Sequence, residues 1–254
     1  MEKSTFNTDV IEGRNPISEA LKSGREIDKI LVAKGDKNGS IVKIISDAKK
    51  RGIVIQEVDR AKLDAMSNTK NHQGVVAYVA TAEYVSVEDI LASAKAKGEN
   101  PFIIIADEIT DPHNLGSLLR TANAAGAHGI IIPKRRSVGL NSVVAKTSAG
   151  AVEFTPVAKV SNIANTIDKL KKENIWVIGA DMDGENTIYT QDFSGGVAIV
   201  VGSEGEGISR IVKEKCDFLV QIPMFGEITS LNASVAGALM IYEVVRARLG
   251  NNKR

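Results

Sequence analysis

Hydrophobic and polar residues alternate in short segments over the first 80 residues. Ile17, Ala20 and Leu21 recur at helical spacing after Gly13. Short apolar runs rich in β-branched residues predict strands between the helical segments. After this first helix, the predicted elements are the strand Ile27–Ala33, the helix Ile41–Lys50 and the strands Ile53–Val58 and Gln73–Ala80. The pattern predicts a small α/β domain over residues 1–80.

From about residue 101 the pattern changes to longer apolar runs separated by helical segments. The run Phe102–Ala106 is continuously apolar, which is typical of a strand buried on both faces of a parallel sheet. Further strands are predicted at His128–Ile132, Trp176–Ala180, Val197–Val201 and Phe218–Ile222, and helices at Pro112–Ala125, Ser142–Ala149, Asn162–Lys172 and Leu231–Leu249. This alternation predicts a parallel sheet covered by helices on both faces, with ligands at the carboxyl ends of its strands.

The segment between these two stretches has a different composition. Residues 81–100 are rich in Ala, Lys, Ser and Glu, carry one weak helical pattern over Val87–Ala96, and end near Gly98 and Pro101. Such a segment is typical of a boundary between domains. We therefore expect a domain over 1–80, a linker over 81–100 and a second domain over 101–254.

Composition narrows the class of protein. The 254 residues are 43% hydrophobic, 25% charged and 4% aromatic, as in a globular protein with an aliphatic core. No apolar run is long enough to span a bilayer and Met1 to Asp9 contains no signal-peptide core, so we expect a cytoplasmic protein without a membrane partner. The single Cys216 excludes an internal disulfide, and the three scattered histidines predict no metal site.

Charge gives little general attraction for nucleic acid. The net charge is +1, and the first 80 residues are only slightly basic, with 14 basic and 11 acidic residues. A local cluster, Lys134-Arg135-Arg136, follows a predicted strand. These side chains either bind RNA phosphates or keep a loop soluble, and the sequence leaves both interpretations open.

The first motif lies at the start of the helix predicted from Pro112. Asp111 and Pro112 are a typical N-cap and first-turn pair, and an apolar stripe at helical spacing explains the leucines that follow. Arg120 lies beside that stripe, with Gly116 one turn before it. A small neighbour would leave the guanidinium room to reach a phosphate or a substrate oxygen, although a purely solvent-exposed arginine fits the pattern as well.

The second motif, Gly202–Gly207, follows a buried strand. Its glycines allow a ligand to approach the backbone closely. No lysine follows them as in a Walker loop, no G-x-G-x-x-G occurs in the chain, and Glu204 and Glu206 would repel phosphates. The motif therefore favours a neutral or cationic ligand, or else it is a simple turn between a strand and a helix.

The third motif, Ser230–Ala236, opens the last predicted helix. Ser230 and Asn232 are polar groups at a helix start, where Ser230 would also serve as an ordinary N-cap.

In this order and spacing, the three motifs resemble those of the SpoU/TrmH superfamily of RNA ribose 2′-O-methyltransferases: Asn114 with Arg120, then Gly202 to Gly207, then Ser230 to Ala236. The N-terminal segments Gly13–Leu21 and His72–Ala77 resemble the substrate-binding domain of the RlmB-type enzymes, which modify a guanosine of 23S rRNA. The resemblance covers nearly the whole chain except residues 81–100.

The resemblance implies a fold, a cofactor and a set of site residues. It implies a C-terminal parallel-sheet domain with a deep trefoil knot, a small N-terminal substrate-binding α/β domain, a homodimer through the knotted domain, and S-adenosylmethionine as cofactor. The implied catalytic residues are Arg120, Asn114, Glu204 and Asn232, and the implied cofactor-binding residues are Gly202, Ile222, Met224, Ser230 and Leu231. We expect Arg14, Asn15, Lys134, Arg135 and Arg136 to bind RNA.

The expected reaction is the attack of a ribose 2′-hydroxyl on the methyl group of the cofactor. Arginine is essentially always protonated, so we expect Arg120 to orient the substrate and stabilise developing negative charge rather than to accept a proton. Two alternatives stay open: an enzyme acting on tRNA or on another rRNA position, and an RNA-binding protein without activity.

Overall fold

The computed structural model describes residues 9–36, 39–67 and 69–251. It divides into two compact units. The first comprises the residues up to Glu83 together with Gly139–Ser142, and the second comprises Tyr84–Val138 and the chain from Val143 onward. Among the described residues, none of the helices combines the length and hydropathy of a membrane span.

The first unit is a mixed four-stranded sheet with helices on both faces. Its strands are β1 (Val10–Glu12), β2 (Ile27–Ala33), β3 (Val54–Val58) and β4 (Val75–Val79), in the order β1-β4-β2-β3. Strand β4 is antiparallel to both neighbours, and β2 and β3 are parallel. The helices are α1 (Arg14–Lys22), α2 (Ser40–Lys50) and α3 (Arg60–Met66).

Two apolar clusters hold this unit together. On one face of the sheet, Ile17 of α1 and Ile44 of α2 pack against Ile30 of β2. On the other face, Leu63 is the buried residue of α3 and packs with Leu31. The alternation of β2 side chains between these clusters is the two-residue period of a strand.

The second unit contains a seven-stranded sheet in which all pairs are parallel. Its strands are β5 (Phe102–Ala106), β6 (Gly129–Pro133), β7 (Val157–Val160), β8 (Ile175–Ala180), β9 (Asn186–Thr187), β10 (Gly196–Val201) and β11 (Phe218–Gln221). Their order is β7-β6-β5-β10-β8-β11-β9. The helices are α4 (Val87–Ala96), α5 (Pro112–Ala124), α6 (Ser142–Thr147, mostly in this unit), α7 (Ile163–Lys172), α8 (Arg210–Lys215) and α9 (Ala233–Asn251).

Helices cover both faces of the large sheet, as the sequence predicts. Ile90 of α4 and Ile167 of α7 belong to the apolar cluster on one face, where they pack with Ile103. Helices α5 and α9 pack against each other. Gly237 makes that approach possible, because a Cβ there would lie only 2.5 Å from Leu118 and 3.1 Å from Val201.

The segment expected as a linker contains a docked helix. Helix α4 begins with a capping box, in which Ser86 Oγ accepts from the Asp89 amide at 3.1 Å and the Asp89 carboxylate accepts from the Ser86 amide at 2.9 Å. Ile90 is fully buried in the second unit. The compact units divide after Glu83, within the segment 81–100 that the composition marks as a linker. Three buried residues, Val87, Ile90 and Ala94, anchor this otherwise polar helix in the second unit.

Several short elements lie outside the sequence predictions. These are β1, α3, β7, β9 and α8. Each has two to seven residues, too few to show a period, and their stability comes from packing. Strand β4 also begins at Val75 rather than Gln73, because Gln73 (φ 50°) and Gly74 (φ 83°) leave the extended conformation.

Candidate functional site

The three sequence motifs meet at one edge of the large sheet. Strands β5, β10 and β11 are parallel members of this sheet, so the loops that follow them leave from the same edge. The first motif starts α5 after β5, the second follows β10, and the third follows β11 and opens α9. This edge is the expected ligand side of a parallel sheet.

The second motif is a closed loop rather than a simple strand-to-helix turn. The Ser203 amide donates to the Gly207 carbonyl at 2.9 Å, and the Gly207 amide donates back to the Ser203 carbonyl at 3.1 Å. A Cβ on Gly202 would collide with the backbone of Gly207 and Ile208, so only glycine fits where the loop closes. Glu204, Gly205 and Glu206 are thereby presented to solvent.

One residue from each motif joins a hydrogen-bonded network. The Glu204 carboxylate accepts from the Asn114 side-chain amide at 2.9 Å and also from the Asn232 side-chain amide. The Asn232 side-chain amide also donates to the Asn114 side-chain oxygen Oδ1 at 2.9 Å. Asn114 is buried. The network fixes the glycine loop and the starts of α5 and α9 relative to one another.

Asn232, and not Ser230, caps the last helix. The Asn232 side-chain oxygen accepts from the Ser234 amide at 3.0 Å and from the Val235 amide at 3.3 Å. The helix therefore begins at Ala233, two residues later than predicted. The N-cap interpretation of Ser230 is wrong, because the Asn232 side-chain oxygen accepts the hydrogen bonds that an N-cap residue accepts from the first turn.

Asp107 holds the glycine loop in place, and the sequence analysis did not assign it a role. Its amide donates to the Val201 carbonyl at 2.8 Å, and its carboxylate accepts from the Ser209 amide at 2.8 Å. These bonds hold both ends of the glycine loop. Burial raises the pKa of the Asp107 carboxyl above its ordinary value. The sequence did contain a signal for this role, since Asp107 is an acidic residue directly after the buried strand β5.

Arg120 lies on α5 but outside the network. It is exposed and makes no hydrogen bond or ion pair with another residue in the described part of the chain. The space expected beside it at Gly116 is taken by α6, since a Cβ on Gly116 would lie 2.6 Å from Thr147 Cβ. Thr147 Oγ1 in turn lies 3.3 Å from His113 Nδ1. The Arg120 side chain is thus exposed to solvent, and the room expected beside it at Gly116 is absent.

The other residues expected to bind cofactor lie on the loop from β11 to α9. Ile222 is half-buried, and Met224, Ser230 and Leu231 are exposed. Gly202 follows β10, which is separated from β11 by one strand, β8, so the two loops leave the same end of the sheet. Two backbone loops with exposed surfaces therefore border the hydrogen-bonded network.

The basic cluster follows β6, the strand beside β5. Arg136 forms an ion pair with Glu108 at 3.1 Å. Lys134 and Arg135 make no side-chain hydrogen bond or ion pair within the described ranges. Two of the three predicted phosphate-binding cations are thus without an internal counter-ion.

In the first unit, the two N-terminal motif segments are joined at Arg14. Its Nε donates to the Gln73 carbonyl at 3.0 Å, and its guanidinium pairs with Asp36 at 3.3 Å. The neighbouring Asn15 is exposed. His72 is buried, accepts from the Gly74 amide at 3.0 Å through Nδ1, and lies 2.9 Å from Asp64 through Nε2. Arg14 is therefore part of an internal network, and its contact with RNA stays a prediction.

The structure offers no evident metal or thiol chemistry within the residues it describes. No group of three or more metal-ligating side chains occurs there. Burial raises the pKa of the Cys216 thiol to about 12, so the reactive thiolate is absent at neutral pH.

Comparisons with known proteins agree with this geometry. Residues 101–242 match the SpoU rRNA Methylase family, and residues 10–85 match the RNA 2′-O ribose methyltransferase substrate-binding family. The chain is 51% identical over 240 residues to YacO of Bacillus subtilis, provisionally named a TrmH family tRNA/rRNA methyltransferase, covering 94% of this chain and 96% of YacO.

Solved structures share the fold. The SpoU methyltransferase AviRb from Streptomyces viridochromogenes, in complex with the cofactor AdoMet, is similar with a TM-score of 0.60 and 24% identity over 95% of this chain and 90% of AviRb. A structure of an RNA 2′-O ribose methyltransferase is similar with a TM-score of 0.54 and 29% identity over 94% and 88% of the two chains. On the family match and the identity to YacO, the chain belongs to the SpoU/TrmH family of RNA 2′-O-ribose methyltransferases.

Proposed function

We propose that the protein uses S-adenosylmethionine to methylate the ribose 2′-hydroxyl of a guanosine in 23S rRNA. The observation that carries the proposal is the network of Asn114, Glu204 and Asn232, which joins all three motifs at the carboxyl edge of the sheet. Family membership supports the reaction class. The choice of RNA rests on the N-terminal segments.

The cofactor fits the chemistry of the glycine loop. Glu204 and Glu206 are carboxylates on a loop without lysine, which suits a ligand carrying a sulfonium cation better than a phosphate. Backbone groups at Gly202, Ile222 and Leu231, with Met224 and Ser230, would hold S-adenosylmethionine between the two loops. When bound, it supplies an activated methyl group.

Arg120 is proposed to act on the substrate. Its guanidinium is exposed and unpaired among the described residues, so it is available to a ribose or a neighbouring phosphate. A guanidinium is a cation with only hydrogen-bond donors, so its proposed role is to stabilise the negative charge that develops on the 2′-oxygen. Asn114 and Asn232 position Glu204, and through it the loop that holds the cofactor.

The RNA is proposed to contact the carboxyl edge through Lys134 and Arg135. Arg136 would contribute less, because Glu108 already neutralises it. In the first unit, exposed Asn15 is the better-placed of the two predicted RNA contacts, and Arg14 shapes the surface around it. Phosphate contacts of this kind make affinity fall with salt concentration.

A guanosine of 23S rRNA is favoured over tRNA by the N-terminal segments alone. Gly13–Leu21 and His72–Ala77 resemble the RlmB-type substrate-binding domain, and the structure brings them together at Arg14 and Gln73. YacO is named for tRNA or rRNA without distinction, so tRNA is the second candidate.

A homodimer through the second unit is also proposed. Helix α9 buries Gly237, Met240 and Val244 yet leaves apolar side chains on its other side. Val235, Leu239 and Tyr242 are 47%, 39% and 51% exposed at i, i+4 and i+7. A helix that is apolar on both sides is normally covered on both. The trefoil knot stays a prediction from the family resemblance. The cytoplasmic location stays a prediction from the sequence, which has no bilayer-length apolar run and no signal-peptide core over Met1 to Asp9.

The experiment is methyl transfer from labelled S-adenosylmethionine to in vitro transcribed, unmodified 23S rRNA and, separately, to unmodified tRNA. We expect label in 23S rRNA, and mapping the product should place it on one guanosine 2′-oxygen. Label in tRNA alone would replace 23S rRNA by tRNA. No label in either RNA, with RNA binding intact, would favour an inactive RNA-binding protein.

A further inference from the structure

A cavity of about 400 Å³ opens at the far end of the same sheet edge. It lies at the carboxyl end of β7, between the starts of α4 and α7, and all its lining residues belong to the second unit. Val85 pairs alongside Ala158 of β7 and forms part of the wall. The volume of the cavity falls in the range of sites for small organic ligands.

The cavity and the motif network share one edge of the sheet. From β10 to β7 the strand order is β10-β5-β6-β7, so the glycine loop, the start of α5, the basic cluster and the cavity follow one another. The Lys134 amide donates to the Val160 carbonyl at 2.8 Å, which joins the basic cluster to the end of β7. With about 4.8 Å between strands, β5 and β7 are about 10 Å apart.

The lining combines apolar walls with the exposed side-chain amide of Asn165. Val85, Val87 and Val160 supply flat aliphatic surface. The Asn165 side chain makes no hydrogen bond with another described residue, although its backbone amide is bonded to Asn162 at 2.9 Å. A carboxamide both donates and accepts, as does the edge of a nucleobase.

Two lysines line the cavity together with these groups. Lys169 pairs with Glu88 at 3.7 Å, with both side chains 70% exposed, and such an exposed pair exchanges readily for another partner. Lys159 lies over the Tyr84 ring at 4.8 Å. With one glutamate against two lysines, the lining has a net positive charge that suits the phosphate attached to a bound nucleoside.

We propose that this cavity binds an unstacked nucleobase of the RNA substrate, in a nucleotide that flanks the one being methylated. The RNA backbone would pass along Lys134 and Arg135 between the two positions. Residues Ser86–Glu88 form one wall of the cavity. They lie outside both matched family segments, because the first segment ends at residue 85 and the second begins at residue 101. The inference rests on the proposed function for the identity of the RNA.

The test compares two substitutions at one exposed position. Asn165→Trp fills the cavity, whereas Asn165→Ala removes the amide and leaves the space open. We expect Asn165→Trp to raise the KM for 23S rRNA about tenfold, which corresponds to about 1.4 kcal/mol of lost contact, with kcat and S-adenosylmethionine affinity unchanged. Asn165→Ala should raise the KM less. A wild-type KM in Asn165→Trp, at an unchanged Tm, would overturn the inference.

A second readout does not depend on methyl transfer. The four nucleoside 5′-monophosphates, added singly at millimolar concentration, should shift the backbone amide NMR signals of Ser161 and Thr166 in the wild type and not in Asn165→Trp. If the wild type methylates neither RNA, the proposed function fails, and this titration alone decides the cavity. The absence of shifts with all four nucleotides would then overturn the inference.

Discussion

The motif residues of the two units have opposite surroundings. In the first unit, Arg14 is bonded to Gln73 and paired with Asp36, so its charge is used internally. In the second unit, Arg120 is exposed with no partner among the described residues, and the polar network lies on the neighbouring loop ends. An arginine in a motif is therefore not by itself a ligand contact; the partners of its guanidinium decide whether it shapes a surface or meets a substrate.

The largest effect should come from Arg120→Ala. Loss of a cation that stabilises developing charge should lower kcat about 10²- to 10³-fold, while S-adenosylmethionine affinity by calorimetry stays at the wild-type value. Arg120→Lys should recover part of the rate because it keeps the charge. Arg210→Ala, at an exposed arginine in the same unit, serves as the control. Equal losses of rate and cofactor affinity would contradict the role given to Arg120.

The next effect concerns the backbone that forms the site. Gly202→Ala places a Cβ against Gly207 and Ile208, so the loop must open. We expect S-adenosylmethionine binding to weaken about tenfold or more, since inserting a methyl group into a closely packed site commonly costs about 1–3 kcal/mol. Gly250→Ala, where a Cβ meets nothing within 4 Å, is the matched control. Unchanged affinity in Gly202→Ala would show that this loop does not hold the cofactor.

Arg14→Ala tests the structural role of the arginine in the first unit. Removing the guanidinium leaves Asp36 and the Gln73 carbonyl without their partner, which should lower the free energy of unfolding by about 1–2 kcal/mol. Arg60→Ala, exposed in the same unit, removes the same charge and should leave stability unchanged. Urea denaturation measures both. If Arg14→Ala unfolds at the wild-type urea concentration but loses RNA affinity, Arg14 is a substrate contact and not a structural one.

The smallest effect distinguishes the half-buried carboxylate of Asp36 from the buried carboxyl group of Asp107. Asp36 forms an ion pair with Arg14. The Asp107 carboxylate instead accepts a hydrogen bond from the Ser209 backbone amide, and burial raises the pKa of the Asp107 carboxyl. A raised folded-state pKa contributes stability that is complete below the unfolded value of 3.8 and is lost as pH rises through the folded value. The asparagine side chain in Asp107→Asn does not titrate in this pH range, so this variant lacks the loss of stability.

We therefore expect the Tm of Asp107→Asn relative to wild type to rise by about 2–4 °C between acid and neutral pH. Thermal unfolding of both proteins, followed by circular dichroism across this range, measures the difference. A Tm difference that does not vary with pH would contradict the assignment of a destabilising charge to Asp107.

Sequence predictions succeeded where one element carries its own signal. Strand β5 was predicted at its observed bounds because five consecutive apolar residues need burial on both faces. Helix α5 was predicted within one residue because Asp111 and Pro112 mark its start and leucines repeat along it. Elements such as β7 and α8 carry no comparable signal, since four to six residues cannot show a period.

The sequence by itself determined the family, the alternation of strands and helices, and the identity of the motif residues, because each depends on residues close together in the chain. Only the tertiary structure joined Asn114 to Glu204 and to Asn232, which lie 90 and 118 positions away. It also showed that Asn232 caps α9, that Thr147 fills the space at Gly116, and that Asp107 holds the glycine loop. Side-chain partners depend on how parallel strands are ordered in the sheet, and local residue patterns carry no information about that order.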